Sequence, residues 1–215
     1  MSKKIMWSLM LLSAILVALY AVVLLVMPGI RPPFIQNLFA RFPVVTLIHF
    51  LGGAVAIVAG ALQFSASLHL RHWGLHRWLG RFYVLAIVFS GVAGLILAVN
   101  SIGGLYVASG FGLMAIFWLA TTLNAYRLIR IGNVKSHQNW MVRSYAVTLA
   151  GLTLRLYLGV SVILGIKFFD AYPVLAWICW VPNLLLAEWF VRRRMHGAHG
   201  SEKPGPVNSC KVMSA

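Results

Sequence analysis

The chain is poor in acidic side chains: its Asp and Glu residues are Asp170, Glu188 and Glu202. Catalysis by paired carboxylates, and transport driven by protons or cations, therefore lacks the groups it needs. The chain also has only two cysteines, Cys179 and Cys210, and they form no Cys-x-x-Cys pair. We expect neither a disulfide between them nor a metal site. The phosphate-binding, dinucleotide-binding and zinc-protease motifs of soluble enzymes are missing as well.

Charged residues of both signs together are scarce, at 10% of the 215 residues, while 61% are hydrophobic. Soluble domains have about 25% charged and roughly 45–50% apolar residues, so one soluble core of this size could not bury the excess. Disordered chains are poor in apolar residues, which excludes disorder over most of the length. The composition therefore predicts an integral membrane protein.

Six apolar stretches are long enough to cross a bilayer, whose hydrocarbon core of about 30 Å needs about 20 helical residues. We predict an all-α integral membrane protein, a six-transmembrane-helix bundle over residues 5–191. The predicted spans are about 5–27, 44–64, 82–99, 105–125, 141–164 and 171–191. Residues 1–4 precede the first span, and residues 192–215 form a basic tail that we expect to be disordered. The turn Asn100–Gly104 predicts a tight hairpin of the third and fourth spans.

Positive charge is distributed unevenly between the two sides that six spans define. Fourteen of the 18 Lys and Arg residues fall on the side of the termini, and three, Arg31, Arg41 and Lys167, fall on the other. Because cytoplasmic loops carry the excess of Lys and Arg, this bias predicts a multi-pass plasma-membrane protein with both termini cytoplasmic. The formal net charge of +15 is then mostly an orientation signal in a lipid bilayer, and nucleic-acid binding is not expected.

Ionisable residues inside the spans are informative because they are costly at membrane depth and are often functional. His49 lies inside the second span, and helical spacing places Gln63 on the same side of that helix. Arg155 lies inside the fifth span, at a height similar to that of His49. We predict a polar ligand site in the bundle formed by His49, Arg155 and Gln63. His49 and Arg155 would lie in its outer half, on the side of the membrane opposite the termini.

Two structural alternatives remain for these side chains. A buried arginine needs a counter-charge or several hydrogen-bond acceptors, and Asp170 is the acidic residue on the correct side, so an Arg155–Asp170 pair is one alternative. The small residues between His49 and Gln63 are equally typical of a helix-packing seam with a hydrogen-bonded histidine.

The cytoplasmic ends of the third and fifth spans each carry a histidine, a tryptophan and an arginine. His76 precedes the third span and His137 precedes the fifth, which places the two imidazoles at one depth. Two facing histidines can be the axial ligands of a b-type haem, and Arg77, Arg81 and Arg143 would suit its propionates. We therefore predict a site for haem b or a quinone at these five residues.

Three segments that contain these residues resemble a known family. They begin at His49, at His76 and at His137, and they read HFLGGAVAIVAGALQF, HRWLGRFY and HQNWMVRSYA; Thr153-Leu-Arg155 follows the third. They are similar to a bacterial multi-pass membrane family catalogued as domain of unknown function 2306, over roughly residues 44–190. The resemblance implies a protein of the bacterial inner membrane, and it implies no particular activity.

A fainter similarity is to transmembrane b-type cytochromes of the ferric-reductase kind, whose helices also begin with His-Arg-x-x-Gly. Those proteins ligate two haems with four histidines, whereas the fourth span here has no histidine. This resemblance therefore implies at most one haem, between His76 and His137.

Three functions remain open at this stage. The first is a redox membrane subunit that binds haem or quinone through His76 and His137. The second is a permease or small-molecule binder that uses His49 and Arg155, and the third is a non-catalytic scaffold whose polar residues are internal hydrogen-bond clasps. The sequence leaves open whether the protein is an enzyme. Besides the lipid bilayer, we consider a homo-oligomer or a membrane redox partner as its partners.

Overall fold

The computed structural model describes residues 3–65, 68 and 71–199, and the regular elements among them are all helical. In chain order its α-helices are α1 (Lys3–Val26), α2 (Pro33–Arg41), α3 (Pro43–Gln63), α4 (Trp73–Val99), α5 (Gly104–Arg130), α6 (Val134–Thr148), α7 (Ala150–Ile163), α8 (Phe168–Ile178) and α9 (Val181–His199). A 3-10 turn, Pro28–Ile30, joins α1 to α2. Residues from 200 onward, which include Cys210 and most of the predicted tail, lie outside the described residues.

Six segments of this part of the chain are long and apolar enough to cross a membrane, which confirms the predicted six-span, all-α fold. They are Lys4–Val26, Pro43–Gln63, Trp73–Val99, Gly104–Arg130, Val134–Ile163 and Phe168–Met195. The first four spans are the single helices α1, α3, α4 and α5. Span five consists of α6 and α7, and span six consists of α8 and α9.

Consecutive spans run in opposite directions, so the bundle has two ends. For example, Trp7 near the start of α1 donates from Nε1 to the carbonyl of Ala61 near the end of α3, at 3.0 Å. We call the end where α1 begins the basic end, because most of the arginines lie there. The opposite end, formed by the 3-10 turn, α2 and the turns after α4 and α7, is called the distal end.

Four helices form a ring in the middle of the bundle. α3 packs on α4, α4 on α5, α5 on α6, and α6 on α3. Each of them contributes a large buried side chain to one shared core, namely Ile57, Tyr83, Trp118 and Tyr145. α1 packs on α3 and touches α7, while α8 packs on α5 and α9 packs on α6. Spans two to five thus surround the core, and spans one and six flank it.

Several helices at the basic end are longer than the apolar stretches that predicted them. α4 begins at Trp73 rather than at 82, and α9 continues to His199 rather than ending at 191. The added turns carry Arg and Trp, whose long side chains place polar groups at the interface while the helical backbone continues. The helices consequently hold the whole predicted basic-end site, which is His76, Arg77 and Arg81 on α4 with His137 and Arg143 on α6.

Spans five and six are interrupted beside each other, since Ala150 at the start of α7 packs with Cys179 at the end of α8. In span six, Pro182 has no N–H to donate to the preceding turn. The carbonyl of Cys179, which lies between α8 and α9, accepts from Thr153 Oγ1 and, at 3.1 Å, from Asn183 Nδ2. Because unsatisfied backbone groups are costly in lipid, these two side chains stabilise the break.

The third and fourth spans form the predicted hairpin, because α4 ends at Val99, α5 begins at Gly104, and the two helices pack together. Gly103 and Gly104 have φ values of 110° and 71°. Such left-handed backbone favours glycine, which explains the glycine pair at this turn.

Candidate functional site

His49 on α3 lies in the distal half of the bundle and is held by α4. Its Nδ1 lies 3.0 Å from the carbonyl oxygen of Ser90, while Ser90 Oγ donates to the His49 carbonyl at 2.9 Å. A carbonyl oxygen only accepts, so Nδ1 carries a proton, and in the neutral form of the imidazole this leaves the lone pair on Nε2. A Cβ at Gly94 would lie 3.3 Å from the His49 ring, so this glycine provides the space that the imidazole occupies.

Arg155 on α7 is a charged residue of the distal half that lies inside a membrane span. Its Nη1 donates to the carbonyl of Gly151, one turn earlier on its own helix. Its Nε is buried and has no hydrogen-bond partner among the described residues. The guanidinium carbon lies 5.4 Å from the ring centroid of Tyr20 on α1, which is a cation–π distance. The side chain is therefore oriented by α1 and α7, but one of its donors is unsatisfied.

His49 and Arg155 lie at similar depth in the bundle. At 1.5 Å per residue, His49 lies about 9 Å inside the start of α3, and Arg155 lies about 12 Å inside the end of α7. In the described part of the chain Arg155 has no ion pair with Asp170, so the alternative of an Arg155–Asp170 pair is wrong. Asp170 is exposed in the first turn of α8, where the helix dipole favours an acidic side chain.

Gln63 lies far from this pair. It is the last residue of α3, about 21 Å along the helix from His49 at 1.5 Å per residue. Its buried Nε2 donates to the carbonyl oxygen of His76 at 2.8 Å and thereby joins α3 to the start of α4. The structure therefore places His49 and Arg155 at similar depth in the distal half and Gln63 at the basic end.

A buried group of side chains, which we call the hydroxyl cluster, fills the ring on the basic side of His49. The Tyr83 hydroxyl lies 2.8 Å from Ser144 Oγ and 3.1 Å from Thr148 Oγ1. Trp118 Nε1 donates to Thr148 Oγ1 at 2.9 Å, and Thr122 Oγ1 lies 2.7 Å from Ser144 Oγ. These hydrogen bonds connect α4, α5 and α6 inside the membrane, where few other partners exist for such groups.

α3 closes tightly over this cluster. The Tyr145 hydroxyl donates to the carbonyl of Ile57 at 3.1 Å. A Cβ at Gly60 would lie 2.5 Å from ring atoms of Tyr145 and 2.8 Å from the ring of Tyr83, so only glycine fits there. The basic half of the ring is thus filled by aromatic rings in direct contact with the α3 backbone.

His76 and His137, the two histidines at the basic end, each lie on the same helix face as a residue of the hydroxyl cluster. His76 precedes Tyr83 by seven residues, and His137 precedes Ser144 by seven residues, so each pair spans two helical turns on one face. His137 Nδ1 lies 2.8 Å from the carbonyl of Ala125 on α5, which again leaves Nε2 with the lone pair. The His76 ring stacks on the ring of Trp73, three residues earlier on α4, with 5.6 Å between the ring centroids.

The three predicted propionate-binding arginines have different surroundings. Arg143 Nε donates to Glu188 Oε2 at 2.8 Å, and its side chain is only 15% exposed, so its charge is already compensated. Arg81 lies with its guanidinium carbon 5.0 Å from the Trp78 ring, at the exposed surface. Arg77 is exposed as well. The residues at the basic end therefore fit a haem only in part.

Sequence reasoning missed the hydroxyl cluster, the Arg143–Glu188 pair and the position of Tyr20. The hydroxyls of Ser144 and Thr148 recur at i and i+4 inside an apolar span, which was a readable signal of a polar helix face. No comparable pattern marks Tyr20, because a tyrosine near the end of a span is typical of the membrane interface.

The distal pair can bind a group with two properties. An acceptor oxygen, preferably anionic, can receive the hydrogen bond that Arg155 Nε leaves unmade. A hydroxyl or other donor can donate a hydrogen bond to His49 Nε2, since Nδ1 is already hydrogen-bonded to the carbonyl of Ser90.

A family described as "Predicted membrane protein (DUF2306)" matches residues 46–191 of the chain. The chain therefore belongs to this family, and the predicted resemblance to it is confirmed. No curated protein and no solved structure matches the chain, so the similarity to ferric-reductase cytochromes gains no support. The matched region contains His49 and Arg155, whereas Tyr20 on α1 lies outside it.

Proposed function

We propose that this membrane protein binds a small molecule with an anionic head group in the distal half of its bundle, between Arg155 and His49. The observation that carries the proposal is the buried Nε of Arg155, which has no hydrogen-bond partner in the described ranges 3–65, 68 and 71–199. An arginine inside a membrane protein is costly unless its donors and its charge are matched. Since Asp170 does not supply the counter-charge, a bound ligand is the partner that completes the site.

Binding is favoured over passage through the bundle. A permeating species would have to continue from His49 toward the basic end, where Tyr83 and Tyr145 fill the ring against Gly60. The hydroxyl cluster has its polar groups hydrogen-bonded to one another, which is expected of a structural clasp and not of a transport path. The scaffold function thus describes the basic half well, and the distal half is the exception to it.

The proposal is tested by asking what the purified protein retains. Small molecules extracted from detergent-purified protein are compared by mass spectrometry between the wild type and Arg155→Gln. We expect an anionic species in the wild type and its loss from the variant. Arg41→Gln is the matched control, because Arg41 is an exposed distal-end arginine whose guanidinium lies 6.0 Å from the Phe42 ring.

Retention of the same species by both arginine variants would show that Arg155 does not bind it, and the proposal would then be wrong. Thermal unfolding of each variant separates loss of the ligand from loss of the fold. His49→Gln, which keeps a polar side chain at this position, is expected to weaken retention without abolishing it.

A second candidate function is a redox subunit with haem b or a quinone at His76 and His137. It is favoured by the hydrogen bond from His137 Nδ1 to Ala125, since haem- and metal-ligating histidines commonly donate their other nitrogen to a carbonyl. The pairing of Arg143 with Glu188 counts against it, because Arg77 and Arg81 alone would then have to bind the propionates. When bound, a haem would supply one-electron transfer, and a membrane redox partner would be required.

The absorbance spectrum of protein purified from haem-replete cells decides this second candidate. A Soret band that disappears in His137→Ala would support it, whereas a colourless preparation that takes up no added haemin would exclude haem. His72→Ala is the control, because His72 is exposed beyond the start of α4.

Orientation is also a proposal, with the basic end in the cytoplasm of a bacterial inner-membrane protein. It follows from the excess of arginine and lysine at that end. Labelling of intact cells with a membrane-impermeant maleimide tests it in a Cys210→Ser background. Asn100→Cys in the distal-end turn is expected to react, and Lys135→Cys at the basic end is expected to be protected.

A further inference from the structure

The distal end of the bundle is covered by α2. The Phe34 ring lies 5.2 Å from Tyr172 and 5.5 Å from Phe168, both on α8. The Phe39 ring lies 5.9 Å from Phe50, which follows His49 on α3. α2 therefore extends across the distal end from α3 to α8.

Arg31 anchors this cover to α1. Its Nε donates to the carbonyl of Leu24 at 2.6 Å and its Nη2 donates to that of Leu25 at 3.0 Å. Its guanidinium carbon also lies 3.9 Å from the Phe39 ring. An arginine at the C-terminal end of a helix satisfies the last carbonyls, so α1 and α2 are joined at the distal end.

By contrast, α7 exposes an apolar surface beside its contact with α1. A Cβ at Gly159, one turn beyond Arg155 toward the distal end, would meet no atom within 4 Å. The neighbouring Leu156 and Val160 are 56% and 50% exposed, and Tyr20 on the facing helix is 41% exposed. In a membrane this exposed apolar surface faces lipid chains, so lipid and not water lies beside the part of α7 that carries Arg155.

The head group that fits the site must both accept and donate. Arg155 Nε offers a hydrogen bond and a positive charge, and His49 Nε2 offers a lone pair. A phosphate monoester has a second pKa of about 6, so its singly charged form carries anionic oxygens together with one O–H. A sulfate monoester or a carboxylate of similar size has the charge but no such proton at neutral pH.

We infer that the ligand is a membrane amphiphile with a phosphate monoester head group, which reaches Arg155 and His49 sideways from the bilayer between α1 and α7. This inference rests on the proposed function and adds the ligand class and the route. Tyr20, the ring against Arg155, is the positioning residue that α1 adds to the site from outside the family-matched region.

The test uses the full chain in phosphatidylcholine nanodiscs and three probes. Decyl phosphate carries the proposed head group on an alkyl chain, decyl sulfate lacks the donor proton, and inorganic phosphate lacks the chain. Isothermal titration at about pH 6, near the second pKa of the monoester, measures each affinity. We expect decyl phosphate to bind about tenfold more tightly than decyl sulfate, as one added hydrogen bond to a charged head group predicts, and inorganic phosphate not to compete.

The route is tested with Gly159→Trp, which fills the open space beside Arg155. It is expected to weaken decyl phosphate binding about tenfold or more, while Gly159→Leu gives a smaller loss and serves if the larger side chain prevents folding. Gly74→Trp is the matched control, because Gly74 is also a helical glycine with no atom within 4 Å, but it lies at the basic end. Tyr20→Leu is expected to weaken binding without changing the preference for phosphate over sulfate.

Each outcome decides a different part of the inference. Equal affinities for decyl phosphate and decyl sulfate would overturn the hydrogen bond from the head group to His49. Unchanged decyl phosphate binding in both Gly159 variants would overturn the lateral route. If no decyl probe binds, the ligand class is wrong, whereas the proposed function is decided separately by the species that Arg155 retains from cells. Loss of binding in Arg155→Gln and Gly159→Trp, but not in Gly74→Trp, supports the whole inference.

Discussion

In the basic half of the bundle the hydroxyls of Tyr83, Ser144 and Thr148 hydrogen-bond to one another, whereas in the distal half Arg155 Nε is buried and has no hydrogen-bond partner among the residues that the structure describes. Both halves contain polar groups that are costly in a membrane interior. In the basic half this cost is offset by hydrogen bonds within the protein, as in a structural scaffold. In the distal half part of this cost is not offset within the described residues, as expected of the proposed binding site.

The contrast has a consequence for stability. Residues that are optimised for the fold lose stability when they are replaced, whereas a residue kept for binding often limits stability in the absence of its ligand. Substitutions in the two halves should therefore differ in sign as well as in size. Thermal unfolding in detergent, followed by circular dichroism on ligand-stripped protein, measures this difference.

The largest effect is expected from Gly60→Ala in the basic half. The added Cβ would lie 2.5 Å from the Tyr145 ring and 2.8 Å from the Tyr83 ring, neither of which has free space to move into. We expect a loss of about 3 kcal/mol, the upper range for overpacking. Gly53→Ala on the same helix is the control, because its nearest neighbour atom is Ser90 Oγ at 3.8 Å. Equal unfolding temperatures for the two variants would contradict the tight packing of the basic half.

Tyr83→Phe tests the hydroxyl cluster with little change in volume. It removes one hydroxyl and leaves Ser144 and Thr148 with fewer partners. We expect a loss of about 1–2 kcal/mol, since hydrogen bonds inside membrane proteins contribute on that order. Tyr126→Phe, at an exposed tyrosine bonded to Arg130, should have no measurable effect. A stable Tyr83→Phe variant would show that the cluster does not clasp the helices.

Arg143→Met separates the ion pair of the basic half from its hydrogen-bond cluster. The side chains of Arg143 and Glu188 are 15% and 31% exposed, so the pair is partly screened. We expect a loss of about 1 kcal/mol, between the values for exposed and fully buried pairs. Arg81→Met is the control, because Arg81 contacts the Trp78 ring at the surface. A gain in stability would mean that Arg143 is not part of the scaffold.

Arg155→Met is expected to raise the stability, whereas the preceding substitutions lower it. The substitution removes a buried donor that has no partner, while the apolar chain keeps much of the packing against Tyr20. We expect a gain of up to about 1 kcal/mol in ligand-free protein, because an unmatched charge is removed. Arg31→Met is the matched control and should lose stability, since Arg31 donates to the carbonyls of Leu24 and Leu25. A destabilised Arg155→Met would place Arg155 with the structural clasps.

Much of the candidate site was predictable at the level of single residues. Arg155 and His49 were recognisable because each is an ionisable residue inside an apolar span, and the approximate depth of each follows from counting residues. Their partners were not predictable. Gln63 shares a helix face with His49 and yet bonds to His76, because the register of α4 against α3 decides which carbonyl it meets.

The sequence by itself determined the six spans, the hairpin at Gly103 and Gly104, and the uneven distribution of positive charge. These are properties of local hydropathy, backbone freedom and residue counts, which no neighbour can change. The tertiary structure decided that Arg143 pairs with Glu188 and that Arg155 does not pair with Asp170. Whether a buried polar atom finds a partner depends on which helices are adjacent and how they are rotated, and six apolar helices of similar length do not specify that in their hydropathy.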